Sequence, residues 1–257
     1  MKPEEDFAGR KNVGRRPYQE DTYAFCTLKD RSALLAVISD GMGGHSAGDL
    51  ASEAAVGGFV HHCLRQPPEV PLPDLLGGAL AAANRAVGKV AARQETQAAG
   101  CTLTAVILQS DGTVLWTSVG DSPLMVFQND RLYRLNKDHS MRAVLATKLL
   151  RGEISREEFD GYKGKSALLS ALTGEALAEV DAPACARTLE KGAIILAATD
   201  GILNLDPLEI SGICRECGTG NASRLADQLI HHTLAKGHAK QDNVTVAVIK
   251  PPHHPTP

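Results

Sequence analysis

Two continuous apolar runs, Leu34-Leu35-Ala36-Val37-Ile38 and Ala193-Ile194-Ile195-Leu196-Ala197, constrain this chain more than any other feature. They have strand length and no polar alternation, so both read as buried strands. Each is followed within three residues by Asp-Gly, at Asp40-Gly41 and Asp200-Gly201. Both carboxylates are thereby carried to strand exits, where burial strips their hydration.

The same association of Asp with an apolar run recurs in five segments. They are Gln19-Glu20-Asp21, Ser39 to His45 (S-D-G-M-G-G-H), Gly120-Asp121-Ser122, Thr199-Asp200-Gly201 and Asp242-Asn243-Val244-Thr245. Carboxylates gathered in this way repel one another, and such a cluster is stable when divalent cations hold it. The pattern points to a metal-centred hydrolase. A Gly beside a ligating Asp lets the backbone approach a cation, and its carbonyl is a further hard oxygen donor. With no His-x-x-x-His pair and no paired Cys-x-x-Cys knuckles, the donor set favours Mg²⁺ or Mn²⁺ over Zn²⁺.

In order and spacing these segments resemble the metal-dependent protein serine/threonine phosphatases, the PPM or protein phosphatase 2C-type family, from about Val13 to Ile249. Met42 in Asp40-Gly41-Met42-Gly43-Gly44-His45 makes the bacterial branch the closer match. The resemblance implies an α/β (α+β) fold: a central β-sandwich of two antiparallel sheets flanked by helix pairs, four layers in the order αββα. It implies hydrolysis of phosphoserine and phosphothreonine by a metal-activated water without a phosphoenzyme, using two Mn²⁺ or Mg²⁺ ions and a third, weaker one. Carried over residue by residue, Asp40 bridges two metals, Asp200 and Asp242 share one of them, and the Gly41 carbonyl serves the other. Asp21 and Glu20 belong to the same centre mainly through water. Arg16 clamps the phosphate, a task suited to a guanidinium fork, and Asp121 with Asp200 holds the third ion. The implied partners are phosphoproteins, with the enzyme a monomer opposing a bacterial-type serine/threonine kinase. The alternative is a weakly active or inactive phosphatase-like domain that binds a phosphoprotein or regulator through the same pocket.

Four departures from the family pattern stand out. The first motif reads Arg16-Pro17-Tyr18-Gln19-Glu20-Asp21, with Gln19 where Asn is usual. Pro123 follows Gly120-Asp121-Ser122 in place of an Arg and removes a backbone donor. Met42 removes a proposed acid, leaving His45 as a candidate by nearness in sequence. The flap segment, about 141–174, lacks the His-Pro and Arg of many relatives.

With 257 residues and 43% hydrophobic content, the chain can bury about three quarters of its unfolded surface in one core. Residues 1–250 read as a single catalytic domain and 251–257, Pro-Pro-His-His-Pro-Thr-Pro, as a disordered tail. A net charge of -3 without a basic stripe argues against nucleic acid. No apolar run reaches membrane-spanning length, and a cytoplasmic protein is expected. Six scattered cysteines do not form a disulfide framework, and Cys214-Arg215-Glu216-Cys217 lacks the second pair of a zinc site. Periodicity predicts helices over Asp49 to Cys63, Pro73 to Ala92 and Asn221 to Leu234. Strands are expected over Leu103 to Leu108, Val114 to Val119, Leu124 to Phe127 and Val244 to Ile249.

Overall fold

The structure, a computed structural model, describes residues 1–43, 46–93 and 99–251. Its first half contains β1 (Phe7–Asn12), β2 (Asp21–Leu28), β3 (Ala33–Met42), α1 (Ser46–Arg65), α2 (Leu72–Arg93), β4 (Gly100–Cys101), β5 (Leu103–Gln109) and β6 (Thr113–Val119). There follow β7 (Leu124–Gln128), β8 (Arg131–Arg134), α3 (Met141–Leu150), α4 (Arg156–Gly161), β9 (Arg187–Thr188), β10 (Ile194–Ala198), α5 (Pro207–Cys217), α6 (Ala222–Ala235) and β11 (Val244–Ile249). One sheet has the order β1-β11-β10-β7-β8, the other β2-β3-β5-β6-β9 with β4 beside β3. The ladders between named strands are antiparallel.

The apolar runs are continuous because each strand is covered on both faces. Leu35 and Val37 of β3 pack with Phe59, Leu75, Leu76 and Ala79 of α1 and α2. Leu34, Ala36 and Ile38, on the opposite face, meet Trp116, Val126, Ile195 and Ala247 between the sheets. Leu196 and Ala198 of β10 complete the pattern against Ile210, Leu225 and Leu229 of α5 and α6. The result is the four-layer αββα arrangement. Each fully buried Leu or Ile contributes about 1.5–3 kcal/mol of transfer free energy, so a charge introduced into either run would break the core. The Ala-rich helices pack on the sheet and also form a seam with each other: Gly58 of α1 lies against Ala82, Ala83 and Ala86 of α2.

Helix starts follow local chemistry. Asp206 caps α5 with Pro207 in its first turn and Glu209 closing a capping box, and the Asn221 side chain accepts from Arg224 N at α6. The strand predictions hold to within a residue except that β3 continues through Asp40-Gly41 to Met42 instead of stopping before them, whereas β1, β2, β4, β8, β9, α3, α4 and α5 were not anticipated. Cys214 and Cys217 lie together on α5. Two expectations change. Asp21 does not end an apolar run but opens β2, and Asp242 precedes β11 rather than following a strand. In an antiparallel sheet the entry of one strand adjoins the exit of the next, so entries and exits both deliver carboxylates to one end of the sandwich. His45 and residues 252–257, including His253-His254, lie outside the described residues.

Candidate metal centre

Strand register places the carboxylates. Asp21 at the entry of β2 pairs directly with Asp40 near the exit of β3. Ala198 at the end of β10 pairs with Val246 of β11, which sets Asp200, two residues beyond β10, beside Asp242 at the entry to β11. Asp121 follows β6 through Gly120, whose φ of 100° is a left-handed value suited to Gly. Asp40, Asp121, Asp200, Asp242, Gly41, Glu20 and Arg16 all line one pocket of about 400 Å³. Asp21 lies behind that wall, 1% exposed.

Close backbone packing explains the two Asp-Gly pairs. A Cβ on Gly41 would come within 2.1 Å of the Gly48 carbonyl of α1, and one on Gly201 within 2.0 Å of the Asn243 carbonyl. The glycines let the strand ends draw together around the pocket.

A dense hydrogen-bond frame holds the carboxylates. Thr199 Oγ1 and Thr245 Oγ1 donate to Asp21 Oδ2 at 2.8 and 2.7 Å, bridging the two sheets. Asp40 N donates to Thr102 Oγ1 at 3.0 Å, Thr102 N returns a bond to the Asp40 carbonyl, and Thr102 Oγ1 meets Ser122 Oγ at 2.7 Å. Asn243, 4% exposed, is a second organiser. Its Oδ1 accepts from Glu20 N at 2.7 Å, while its Nδ2 donates to the carbonyls of Val13 and Tyr18, each at 2.9 Å. It thereby ties the loop carrying Arg16 to the start of β11. Arg16 Nη2 donates to Asp242 Oδ2 at 2.5 Å.

Pro123 leaves the strand intact. Its carbonyl accepts from Ala198 N, and Leu124 N, the first donor of β7, bonds Asn136 Oδ1 at 2.8 Å. Arg134 of β8 supplies a guanidinium at this place, donating to the Asp121 carbonyl at 2.8 Å and to Asp138 Oδ2 at 2.9 Å. His139 and Gly120 clasp one another through His139 N to Gly120 O and Gly120 N to His139 Nδ1. Sequence reasoning missed the roles of Thr102, Arg134, Asn136, His139 and Asn243. Of these, Asn243 sat inside one of the five Asp segments.

The electrostatics are those of crowded, dehydrated acids. Burial, then the charges of Asp21, Asp200, Asp121 and Asp242, push the Asp40 carboxyl well above its ordinary range. Burial and the neighbouring Asp200 raise Asp121 to about 7. Asp21 also reaches about 7, burial outweighing the two threonine hydroxyls. Asp200 is raised by burial and by Asp242. Two buried carboxylate oxygens, Glu20 Oε1 and Asp21 Oδ1, have no hydrogen-bond partner among the described residues. Oxygen donors of this hardness and charge fit Mg²⁺ or Mn²⁺. Among the described residues no three His, Cys, Asp or Glu side chains stand close enough together to hold a metal ion by themselves.

Comparison with known proteins gives one answer. A family model described as protein phosphatase 2C matches residues 8–236. The serine/threonine phosphatase stp of Listeria innocua is 31% identical over 249 residues, covering 94% of each chain. The crystal structure of the Mycobacterium tuberculosis serine/threonine phosphatase PstP/Ppp superposes with a TM-score of 0.79 at 25% identity, covering 96% of this chain and 98% of that one. The catalytic domain of PstP in complex with two manganese ions gives 0.76 at 25% identity, covering 95% and 96%. The sequence order of the Asp segments, the αββα layers and these matches agree: the chain belongs to the metal-dependent protein phosphatase 2C (PPM) family, in its bacterial branch, and is a protein serine/threonine phosphatase.

Proposed function

We propose that this phosphatase hydrolyses phosphoserine and phosphothreonine in proteins at the pocket formed by Asp40, Asp200, Asp242, Gly41 and Arg16. The observation that carries this reading is the convergence of those residues, from four separate segments, on one cavity. Asp40, Asp200, Asp242 and the Gly41 carbonyl would hold two Mn²⁺ or Mg²⁺ ions, with Asp21 and Glu20 acting from behind through water and Asp121 with Asp200 serving a third. Such ions, when bound, supply an activated water and neutralise charge on the phosphoryl oxygens.

The chain's own residues do the rest. Arg16 exchanges its Asp242 partner for phosphate oxygens and orients phosphorus. Water adds to phosphorus as the bond to the serine or threonine oxygen breaks, giving inorganic phosphate and the free hydroxyl. Met42 lines the pocket and carries no transferable proton, so the leaving oxygen takes its proton from water or from another group, His45 being the candidate by nearness in sequence. Retention of the full Asp set with Arg16 favours turnover over binding alone.

On this reading residues 1–250 form the catalytic domain and 141–174 its flap, as Ser166, Ala167 and Leu168 on the pocket rim support. The protein works as a monomer in cytoplasmic signalling, opposing a serine/threonine kinase. Among the described residues no helix is long and apolar enough to cross a membrane. The test is hydrolysis of a phosphothreonine peptide. EDTA should abolish it and Mn²⁺ or Mg²⁺ restore it; full activity in metal-free buffer would overturn the mechanism, and rescue by Zn²⁺ alone the metal assignment.

A further inference from the structure

Thr102 is buried at the junction of β4 and β5 and lines the pocket. It clasps the Asp40 peptide from both sides: Asp40 N donates to Thr102 Oγ1 at 3.0 Å, and Thr102 N donates to Asp40 O at 2.9 Å. Ser39 Oγ donates to the Thr102 carbonyl at 2.6 Å. Thr102 is therefore bonded to the end of β3 through its side chain and both of its main-chain groups.

The same hydroxyl reaches the loop that carries Asp121. Thr102 Oγ1 and Ser122 Oγ lie 2.7 Å apart, both buried, and this is the one hydrogen bond of the Ser122 side chain among the described residues. The loop has little room to shift on its own. The Ser122 carbonyl accepts from Thr104 Oγ1 and from Asn136 Nδ2, each at 2.9 Å, and a Cβ on Gly120 would come within 2.6 Å of Thr102 Cγ2. In the sheet, β5 separates β3, which carries Asp40, from β6, which leads to Asp121. The hydroxyl pair at the entry of β5 spans that separation.

We propose that Thr102 and Ser122 are positioning residues whose hydroxyl pair fixes Asp121 relative to Asp40 and thereby sets the affinity of the third ion. The proposal rests on the phosphatase reading above and its assignment of Asp121 to that ion. Ligand distances in a metal site tolerate only about 0.2 Å of error, and the groups that orient a ligand control affinity almost as strongly as the ligand itself. A carboxylate on a loop pinned beforehand need not be ordered by the ion. Thr102 Oγ1 accepts from Asp40 N with one lone pair and serves Ser122 Oγ with its hydrogen or its other lone pair, so the two residues can be tested separately. Ser122→Ala breaks the link and leaves the clasp on Asp40 intact, whereas Thr102→Val removes both.

The test is calorimetric titration of the full chain with Mn²⁺ in wild type, Ser122→Ala, Thr102→Val, Thr102→Ser and Thr102→Val/Ser122→Ala, with the melting transition of each recorded in EDTA. Ser122→Ala should weaken the third ion roughly fivefold, the scale of one neutral hydrogen bond, and leave the two principal ions nearly unchanged. Thr102→Val should weaken the third ion at least as much and the principal ions as well, and Thr102→Ser, which keeps the hydroxyl, should recover most of the loss. The double variant should bind the third ion no more weakly than Thr102→Val, because both changes remove the same bond. A purely structural role would lower the melting temperature in EDTA without moving the ratio of third-ion to principal-ion affinity. If Thr102→Val shows no melting transition, Ser122→Ala and Thr102→Ser decide the matter between them. A third-ion affinity unchanged in Ser122→Ala, additive losses in a folded double variant, or a wild type that binds only two Mn²⁺ overturns the proposal. Wild-type hydrolysis of p-nitrophenyl phosphate, run in parallel, separates the two readings: turnover with an unmoved affinity ratio sinks the hydroxyl pair alone, and a shifted ratio without turnover sinks the phosphatase mechanism alone.

Discussion

Replacing Asn243 by Ala removes one side chain and three hydrogen bonds, to Glu20 N, Val13 O and Tyr18 O. Asn243 is buried, so the groups left behind cannot all turn to bulk water. A neutral intramolecular hydrogen bond contributes about 1 kcal/mol net, which puts the loss near 3 kcal/mol. For a domain of this size each kcal/mol moves Tm by roughly 2–4 °C, so Asn243→Ala should melt roughly 6–12 °C below wild type in EDTA, where metal linkage is absent. The three bonds also anchor the loop carrying Arg16, so KM for p-nitrophenyl phosphate in Mn²⁺ should rise. If Asn243 acts on phosphate binding through Arg16, the double variant Arg16→Ala/Asn243→Ala should have a KM close to that of Arg16→Ala alone. Asn243→Asp keeps the acceptor for Glu20 N but turns an oxygen toward two carbonyls, and should not rescue either property. A Tm shift below 2 °C in Asn243→Ala, or fully additive KM effects in the double variant, would refute the reasoning.

Asp40→Ala should abolish turnover and calorimetric Mn²⁺ binding, whereas Asp121→Ala should keep the two principal ions and lose only part of the rate; equal loss of stoichiometry in both would show the hierarchy to be wrong. Arg16→Ala should raise KM by roughly tenfold or more, from a charge-assisted bond of about 1.5–3 kcal/mol, and Arg16→Lys should recover part; a change below twofold would remove Arg16 from the phosphate site. Burial and neighbouring acids raise Asp21 and Asp121 to about 7 in the folded state from an unfolded 3.8. The folded chain therefore binds these protons more tightly, and the stability they contribute is full below about pH 4 and lost as pH rises through 7. In EDTA, Tm should fall between pH 5 and 8 with a slope that Asp121→Asn flattens, and Mn²⁺ should stabilise more at the higher pH. An EDTA melting temperature that climbs over this range, with Asp121→Asn showing the same slope, would contradict the assignment.

The sequence by itself determined the fully apolar strands and the chemistry. A run such as Leu34 to Ile38 with no polar break has to be covered on both faces, because exposing either would leave apolar surface in water. The spacing of Asp40, Asp200 and their neighbours carried the family resemblance and the nature of the donor set. Tertiary structure decided what local pattern cannot encode. Asp21 lies 19 residues before Asp40 in sequence yet opposite it in register, and its burial behind the pocket depends on Thr199 and Thr245 from the other sheet. His139 and Arg134 carry no signature of their own, since a hydrogen bond acts through space on whatever the fold brings near. α3 and α4 escaped notice because neither carries a long apolar stripe, and their position depends on contacts with the rim; α5 did carry a legible signal, the capping box of Asp206 and Glu209 followed by Ile210, Ile213, Cys214 and Cys217 on one face. Periodicity and composition report what each segment must bury; only the packed sheets specify which distant side chain stands within 3 Å of which carboxylate.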